Sequence, residues 1–194
     1  MNPMIKYRGG KSKEISHFIS NMPENYNRYI EPFFGGGALY FYLEPQNAII
    51  NDVNTKLYSF YKQMQEEYPS VRKQLDELQM VYEQNQKEYE GLKKKHPEER
   101  VENKNEAFNH KIESEYLEAV VYFFINKTAY SGMIRYNAKG EYNVPFGRYK
   151  NLNTKLITDK HYELLKRTEI YNYDYSEIFN MAGNNDFIFL DPPY

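Results

Sequence analysis

The sequence predicts an α/β fold in which parallel strands alternate with helices. Residues 28–31 have the pattern of a short strand that runs into a glycine-rich loop, and residues 38–43 then have helical character. Residues 48–51 form a second apolar strand that ends at Asp52. This order is typical of a βαβ unit with a parallel sheet. Residues 187–190 are entirely apolar, as expected of a strand that such a sheet buries on both faces.

Two further elements complete the predicted sheet domain. Residues 55–65 have the character of a helix that follows the second strand. Residues 168–173 return to strand character and lead to Asp174. About four parallel strands can therefore be counted, and the apolar strand 187–190 would have one side without a neighbour, which is an aggregation hazard.

The middle of the chain differs in composition and predicts a helical insert. It is rich in Glu, Lys, Gln and Asn, and one amphipathic helix is expected because four apolar residues recur at helical spacing: Val71, Leu75, Leu78 and Val81. The run 93–99, which contains a proline, is expected to break this helix, and a further helix is expected over about 114–124. Residues 126–150 combine polar and aromatic residues, which indicates a functional loop or hairpin.

Composition excludes several classes of function. The chain has 194 residues and no cysteine, so disulfides, thiolate catalysis and Cys-type zinc sites are excluded, and its four histidines lack ligand-like spacing. No apolar run reaches the about 20 residues of a membrane span, and the N-terminus lacks the apolar stretch of a secretory signal. A cytosolic, metal-free protein is expected. The net charge of −2 means that binding of nucleic acid would require a local basic patch.

The glycine loop and the acid after the next strand predict a ligand that contains a nucleoside. Glycines 35–37 allow close approach of the backbone to a ligand, and Asp52 stands where an acid can bond ribose hydroxyls. A nicotinamide fingerprint is weaker, because Tyr40 occupies the place of its third glycine. A phosphate-binding P-loop is also weaker, because no Lys-Ser/Thr pair follows the glycines. A plain glycine turn with a helix-capping aspartate is the structural alternative.

The segment Asp191-Pro192-Pro193-Tyr194 predicts chemistry on an amino group. It follows an apolar strand, at the sheet edge where ligands of open α/β folds bind. A carboxylate and a backbone carbonyl that accept the two N–H bonds of a ring-conjugated amino group would concentrate charge on its nitrogen. Proline fixes the local backbone, and the tyrosine ring can stack on a base that has left the duplex. The alternative is a strand end followed by a proline turn.

Together these segments resemble the Dam-type DNA adenine-N6 methyltransferases (D12 class, alpha group). The resemblance rests on five motifs in the order of that family: Lys6-Tyr7-Arg8-Gly9-Gly10-Lys11, Glu31 to Gly37, Asn51 to Asn54, the long segment from Asn126 to Tyr149, and the terminal D-P-P-Y. It implies a Rossmann-like, S-adenosylmethionine-dependent methyltransferase sheet, incomplete at its C-terminal strands, with a helical and hairpin insert for DNA recognition. The catalytic domain would comprise residues 1–62 and 151–194, and the insert residues 63–150.

The resemblance also implies roles for individual residues. The catalytic residues would be Asp191, Pro192 and Tyr194. The residues that bind S-adenosylmethionine would be Tyr7, Lys11, Phe33, Gly35, Gly37, Asp52 and Asp174. The residues that contact double-stranded DNA would be Lys6, Tyr130, Ser131, Met133, Arg135, Asn137, Pro145 and Tyr149. For Tyr136, Tyr142 and Phe146, packing within the hairpin is an equal alternative.

The sequence departs from the family at two positions, and the second of them bears on the expected DNA target. The family often has Trp at the position of Tyr7 and Asn at the position of Ser131. The resemblance implies a site that contains G-A-T, with G-A-T-C as the specific expectation. Three alternatives remain: a non-catalytic DNA-binding or regulatory subunit, one half of a split enzyme completed in trans, and methylation of RNA or of a protein amide.

Overall fold

The structure is a computed structural model that describes residues 1–7, 9–109, 112, 115–140 and 142–192. Its strands are β1 (Tyr29–Glu31), β2 (Ala48–Asn51), β3 (Thr168–Tyr171) and β4 (Phe187–Ile188). Its α-helices are α1 (Ile15–Phe18), α2 (Ala38–Leu43), α3 (Thr55–Glu66), α4 (Tyr68–Lys95), α5 (Lys104–Phe108), α6 (Glu118–Thr128), α7 (Asp159–Lys166) and α8 (Tyr175–Met181). The chain forms two compact units, of which the first comprises Met1–Tyr68 and Leu156–Tyr194 and the second Pro69–Lys155.

The first unit is built on a parallel sheet with the strand order β3-β2-β1-β4. Every residue of β1 and β2 is buried, because helices cover both faces of these strands. On one face Ile30 and Ile49 pack against Ile178 of α8. On the other face the ring of Tyr29 contacts that of Tyr40 in α2. The predicted α/β class with a parallel sheet is therefore confirmed.

Three of the strands are shorter than the sequence predicts, and β1 begins at Tyr29 rather than at residue 28. β3 ends at Tyr171 rather than at residue 173, because the Tyr173 N–H donates to the Asn51 side chain instead of to a neighbouring strand. β4 has two residues rather than four. The Phe189 N–H still donates to the Ile30 carbonyl, but Leu190 is 51% exposed and has left the sheet. In the part of the chain that the structure describes, β4 pairs only with β1.

The second unit is helical, and its longest helix follows the predicted periodicity with one correction. The buried stripe of α4 consists of Val71, Leu75, Leu78 and Tyr82, whereas Val81 is 39% exposed. A spacing of four after Leu78 keeps the stripe on one side of the helix. α4 ends at Lys95, within the run 93–99 that is predicted to break it.

The second predicted helix of this unit begins and ends four residues later than expected. α6 spans Glu118–Thr128, and all but one of its residues from Ala119 to Thr128 are buried. Its polar end stays helical because the Thr128 hydroxyl donates to the Phe124 carbonyl, 2.8 Å away. The short helix α5 was not predicted. No helix of the described residues is both long and apolar enough to cross a membrane.

Candidate active site

A cavity of about 500 Å³ lies in the first unit, at the carboxyl ends of the parallel strands. The segments that follow all four strands line it, together with the loop that precedes the 3₁₀ turn Lys11–Lys13. Open parallel sheets bind ligands at this edge, because the strand ends there release loops whose backbone and side chains converge. The cavity is therefore the candidate active site of the first unit.

The glycine loop after β1 is shaped by left-handed backbone and by an aromatic ring that packs on it. Gly35 and Gly37 have φ values of 51° and 64°, which favour glycine. A Cβ atom on Gly35 would lie 2.7 Å from the Tyr7 ring, and one on Gly36 would lie 2.8 Å from the Tyr7 Cβ. The Tyr61 hydroxyl donates to the Gly35 carbonyl, 3.1 Å away. The loop and Tyr7 thus form one wall that a larger side chain would disrupt.

Asp52 is fixed at the end of β2 by two backbone donors. Its Oδ2 accepts the Gly35 N–H at 2.8 Å, and its Oδ1 accepts the Asn54 N–H at 2.9 Å. Burial raises the pKa of this carboxyl, and the two hydrogen bonds oppose that effect. Asp52 therefore joins the glycine loop to the start of α3 and still lines the cavity.

A second acid in the cavity, Glu31, is almost completely buried at the end of β1. The Tyr29 hydroxyl donates to its Oε2 at 2.7 Å. Burial raises the pKa of Glu31 from 4.5 to about 8, the Asp191 and Asp52 charges act in the same direction, and the Tyr29 hydrogen bond opposes them. Near neutral pH the buried carboxyl is thus largely protonated.

The N-terminal motif and the terminal motif meet in this cavity. The Lys11 Nζ lies 3.4 Å from Asp191 Oδ1, and it also lies 3.8 Å from Glu14 Oε2. Asp191 follows β4, whereas Lys11 begins the first 3₁₀ turn of the chain. Two segments that are 180 residues apart in the sequence therefore place opposite charges side by side at the strand ends.

The segment after β3 contributes an aromatic and polar rim. The ring centroids of Phe33 and Tyr175 are 5.3 Å apart. Asp174 is the N-cap of α8, and its Oδ1 accepts bonds from both the backbone N–H and the hydroxyl of Ser176. The hydroxyl bond is the main cause of its lowered pKa. The Asn51 side chain donates to the carbonyls of Pro32 and Tyr173, so it ties the rim to the glycine loop.

The structure brings together every predicted cofactor residue and two of the three predicted catalytic residues. These cavity residues are Tyr7, Lys11, Phe33, Gly35, Gly37, Asp52, Asp174, Asp191 and Pro192. Tyr194 lies outside the described residues. Lys6 belongs to the first unit but does not line the cavity, and its side chain is exposed.

The other residues predicted to contact DNA lie in the second unit, in a loop closed by two antiparallel bridges, Ala129 with Phe146 and Tyr136 with Tyr142. Tyr130 is 63% exposed and begins the 3₁₀ turn Tyr130–Gly132, which also contains Ser131, whose side chain is not described. The Pro145 carbonyl accepts the Tyr130 N–H at 2.9 Å. The exposed positions of this loop are thus held on a hydrogen-bonded frame.

The remaining predicted contacts of this loop differ in their hydrogen bonding. The Arg135 guanidinium is exposed and donates to the Asn143 carbonyl at 3.1 Å and 3.3 Å. Asn137 caps the turn, because its side chain accepts the Lys139 N–H at 2.9 Å. Met133 is half-buried, and the Tyr149 carbonyl accepts a bond from the Tyr82 hydroxyl of α4. The rings of Tyr136 and Tyr142 pack against each other, and Phe146 is buried.

Two buried polar residues of the cavity, Glu31 and Asn51, belong to the motifs on which the resemblance rests, but the sequence assigns neither of them a role. The signal for Glu31 is its place at the end of a buried strand, because an acid is rarely buried there unless it has a partner. The bridging role of Asn51 is not visible in the sequence, since its side chain makes three hydrogen bonds to two residues, Pro32 and Tyr173, in the loops after β1 and β3.

The sheet is parallel, a glycine loop follows β1, an acid follows β2 and an Asp-Pro pair follows β4. This arrangement is typical of enzymes that bind a cofactor containing a nucleoside. Comparison with known proteins then identifies the family. The sequence model of the D12 class N6 adenine-specific DNA methyltransferases matches residues 7–194. The chain belongs to this family, and its sheet has the Rossmann-like organisation of S-adenosylmethionine-dependent methyltransferases.

Individual relatives agree with this assignment. The type II methyltransferase M1.LlaDCHI of Lactococcus lactis is 34% identical over 198 residues, which is 100% of this chain and 66% of the relative. The type II methyltransferase M.MjaIII of Methanocaldococcus jannaschii is 33% identical, covering 100% of this chain and 69% of the relative. The DNA adenine methylase of Escherichia coli is 28% identical, covering 98% and 64%. The chain thus spans about two thirds of the length of these relatives.

Proposed function

We propose that this protein transfers a methyl group from S-adenosylmethionine to N6 of adenine in duplex DNA, at a site that contains G-A-T and most specifically G-A-T-C. Residues 1–62 and 151–194 would form the catalytic, cofactor-binding domain, and residues 63–150 the insert that recognises DNA. The observation that carries the proposal is the ion pair between Lys11 and Asp191. The same cavity also contains Asp52 and the glycine loop.

The donor set of the cavity fits a nucleoside with a cationic sulfonium. Asp52 and Asp174 are carboxylates after adjacent strands, suited to ribose hydroxyls and to an exocyclic amine. Lys11, whose Nζ lies 3.4 Å from Asp191 Oδ1, can pair with the carboxylate of a methionine moiety. A volume of about 500 Å³ is within the range of cofactor sites.

The catalytic step assigns separate tasks to Asp191 and Pro192. When bound, S-adenosylmethionine supplies an electrophilic methyl group on a positively charged sulfur. The Asp191 carboxylate and the Pro192 carbonyl would accept the two N–H bonds of the adenine amino group, which raises electron density on its nitrogen. A C–N bond forms as the S–C bond breaks, and one amino proton leaves to Asp191 or to water. Pro192 cannot rotate about φ, so its position is restricted.

The target base must leave the duplex before such a step, because its amino group lies within a base pair. Exposed Tyr130 has the right chemistry to fill the vacated space by stacking. Arg135 presents a guanidinium on the same loop, and guanidinium to guanine is the commonest specific contact in the major groove. Lys6 and Met133 would add contacts to base edges.

A labelling experiment tests the proposal. The full-length gene product is incubated with duplex DNA and S-adenosylmethionine that carries a labelled methyl group, and the DNA is digested to nucleosides. We expect the label on N6-methyladenine, and methylation-sensitive sequencing should place it in G-A-T-C. DNA that stays unlabelled while calorimetry detects cofactor binding would overturn the catalytic assignment. Label in adenines outside G-A-T would overturn only the site.

A further inference from the structure

A cleft of about 1030 Å³ lies within the second unit, and five cations line it. They come from three segments: Lys93 and Lys94 from the last turn of α4, Arg100 from the segment before α5, and Arg148 and Lys150 from the end of the hairpin loop. Three carboxylates, Glu90, Glu102 and Glu106, also line the cleft. The surplus is two positive charges, on a chain whose net charge is −2.

The cations of this cleft differ from those cations of the same unit that pair with carboxylates. Arg72 pairs with Asp76, and Lys104 pairs with Glu88. Among the described residues, none of the five cleft cations lies within 4 Å of a carboxylate oxygen, and all five are exposed. The dipole of α4 favours lysines in its last turn, but it gives no reason for Arg100, Arg148 or Lys150.

Arg148 is held in a conformation that its side chain does not favour. Its φ is 55°, in the left-handed region that is unfavourable for a residue with a Cβ. Both neighbours are fixed: the Gly147 N–H donates to the Thr128 carbonyl at 2.6 Å, and the Tyr149 carbonyl accepts the Tyr82 hydroxyl. A Cβ on Gly147 would lie 2.5 Å from the Tyr149 ring. The frame of α4 and α6 thus fixes the backbone of Arg148 at the cleft.

We infer that this cleft binds the phosphodiester backbone of duplex DNA, as a contact additional to the base-reading residues of the hairpin loop. The inference rests on the proposed function, and it assigns the cleft to positioning of the duplex rather than to reading its sequence. Unpaired cations on separate segments match the spaced charges of a phosphate backbone. Arg148 and Lys150 directly follow the hairpin loop that carries Tyr130 and Arg135.

Removing positive charges from the cleft should lower its affinity for duplex DNA, and removing negative charges should raise it. A variant that combines Lys93→Gln, Lys94→Gln and Lys150→Gln should bind duplex DNA about 10-fold more weakly. Its plot of log K against log[salt] should be shallower by about 0.9 for each phosphate contact that is lost. Glu102→Gln with Glu106→Gln should strengthen the binding. Discrimination between G-A-T-C and other duplexes should stay unchanged, because phosphate contacts carry no direct sequence information.

Fluorescence anisotropy with a labelled duplex, measured over a series of salt concentrations, tests this. The matched control combines Lys73→Gln, Lys87→Gln and Lys155→Gln, which remove the same number of charges from exposed lysines of the same unit that do not line the cleft. If the unaltered protein binds no duplex DNA, the proposed function and the cleft assignment both fail. If it binds and methylates DNA, but the cleft variants have the salt slope of the control, only the cleft assignment fails. Because the substituted residues are exposed, circular dichroism should show unchanged melting.

Discussion

The cavity of the first unit and the cleft of the second unit differ in how firmly their charged and polar side chains are held. In the cavity, Glu31, Asp52 and Asn51 are buried or partly buried, and each is held by named hydrogen bonds. In the second unit the backbone is fixed, but the cations at its cleft are exposed and unpaired among the described residues. Chemistry requires groups that are already in place, whereas binding of a polyanion tolerates mobile charges. Substitutions should therefore have larger effects in the cavity.

The largest effect is expected at Asp191. Asp191→Ala removes the acceptor of an amino N–H and should lower kcat of methyl transfer by about 10²–10⁴-fold. Affinity for S-adenosylmethionine should change by less than about threefold, since this acceptor acts mainly in the transition state. Single-turnover labelling of DNA measures the first quantity and calorimetry the second. Asp191→Asn serves as the matched variant, because it keeps an acceptor oxygen. Equal losses of turnover and cofactor affinity would contradict the assigned role.

A pH-dependent loss of stability is expected from Glu31. Its pKa of about 8 in the folded protein lies above the usual 4.5, so between these pH values the folded state holds a proton that the unfolded state has lost. Stability must therefore fall as pH rises from about 4.5 to about 8, by on the order of a few kcal/mol, and then level off. Glu31→Gln should flatten this part of the curve of Tm against pH, because glutamine does not titrate.

The slope of that curve, rather than the Tm at any one pH, is the diagnostic quantity for Glu31. A glutamine in the same place can still accept the Tyr29 hydroxyl but leaves an amide N–H₂ group to satisfy, which can lower stability by about 1–3 kcal/mol at all pH values. Glu102→Gln, in an exposed position, is the control and should leave the slope unchanged. An unaltered slope for Glu31→Gln would show that its carboxyl is ionised in the folded protein.

The sequence predicts those elements well whose ends are determined by neighbouring residues, and it predicts poorly those that depend on tertiary packing. α2 and β2 were predicted residue by residue, since an apolar run with glycine or an acid at its ends marks both boundaries. β4 was predicted too long, because an apolar run does not reveal whether a second strand will lie beside it. α6 was shifted because its polar end is buried by packing, which periodicity does not report. The cleft of the second unit brings Arg148 and Lys150 to the end of α4, and local patterns do not report a pairing so distant in the sequence.

A smaller effect than at Asp191 is expected at Asp52. Asp52→Ala removes a carboxylate that would bond the ribose, and affinity for S-adenosylmethionine should fall about 10–100-fold, as for loss of a hydrogen bond to a charged group. It also removes the acceptor of the Gly35 N–H, so the glycine loop should loosen. Asp52→Asn can keep that acceptor and should lose less affinity. Calorimetric titration measures both variants, and unchanged affinity in both would exclude Asp52 from the cofactor site.

The smallest effect is expected at Arg135, because this residue of the second unit is exposed. Arg135→Ala should reduce discrimination between G-A-T-C and a duplex with the guanine replaced by about 10-fold, within the 1–3 kcal/mol of one bidentate contact. Arg135→Lys keeps the charge but not the planar fork, so it should lose the same discrimination and retain the salt slope. Cofactor affinity should not change in either variant. Because Arg135 also bonds the Asn143 carbonyl, a drop in Tm with intact discrimination would instead assign it to the frame of the loop.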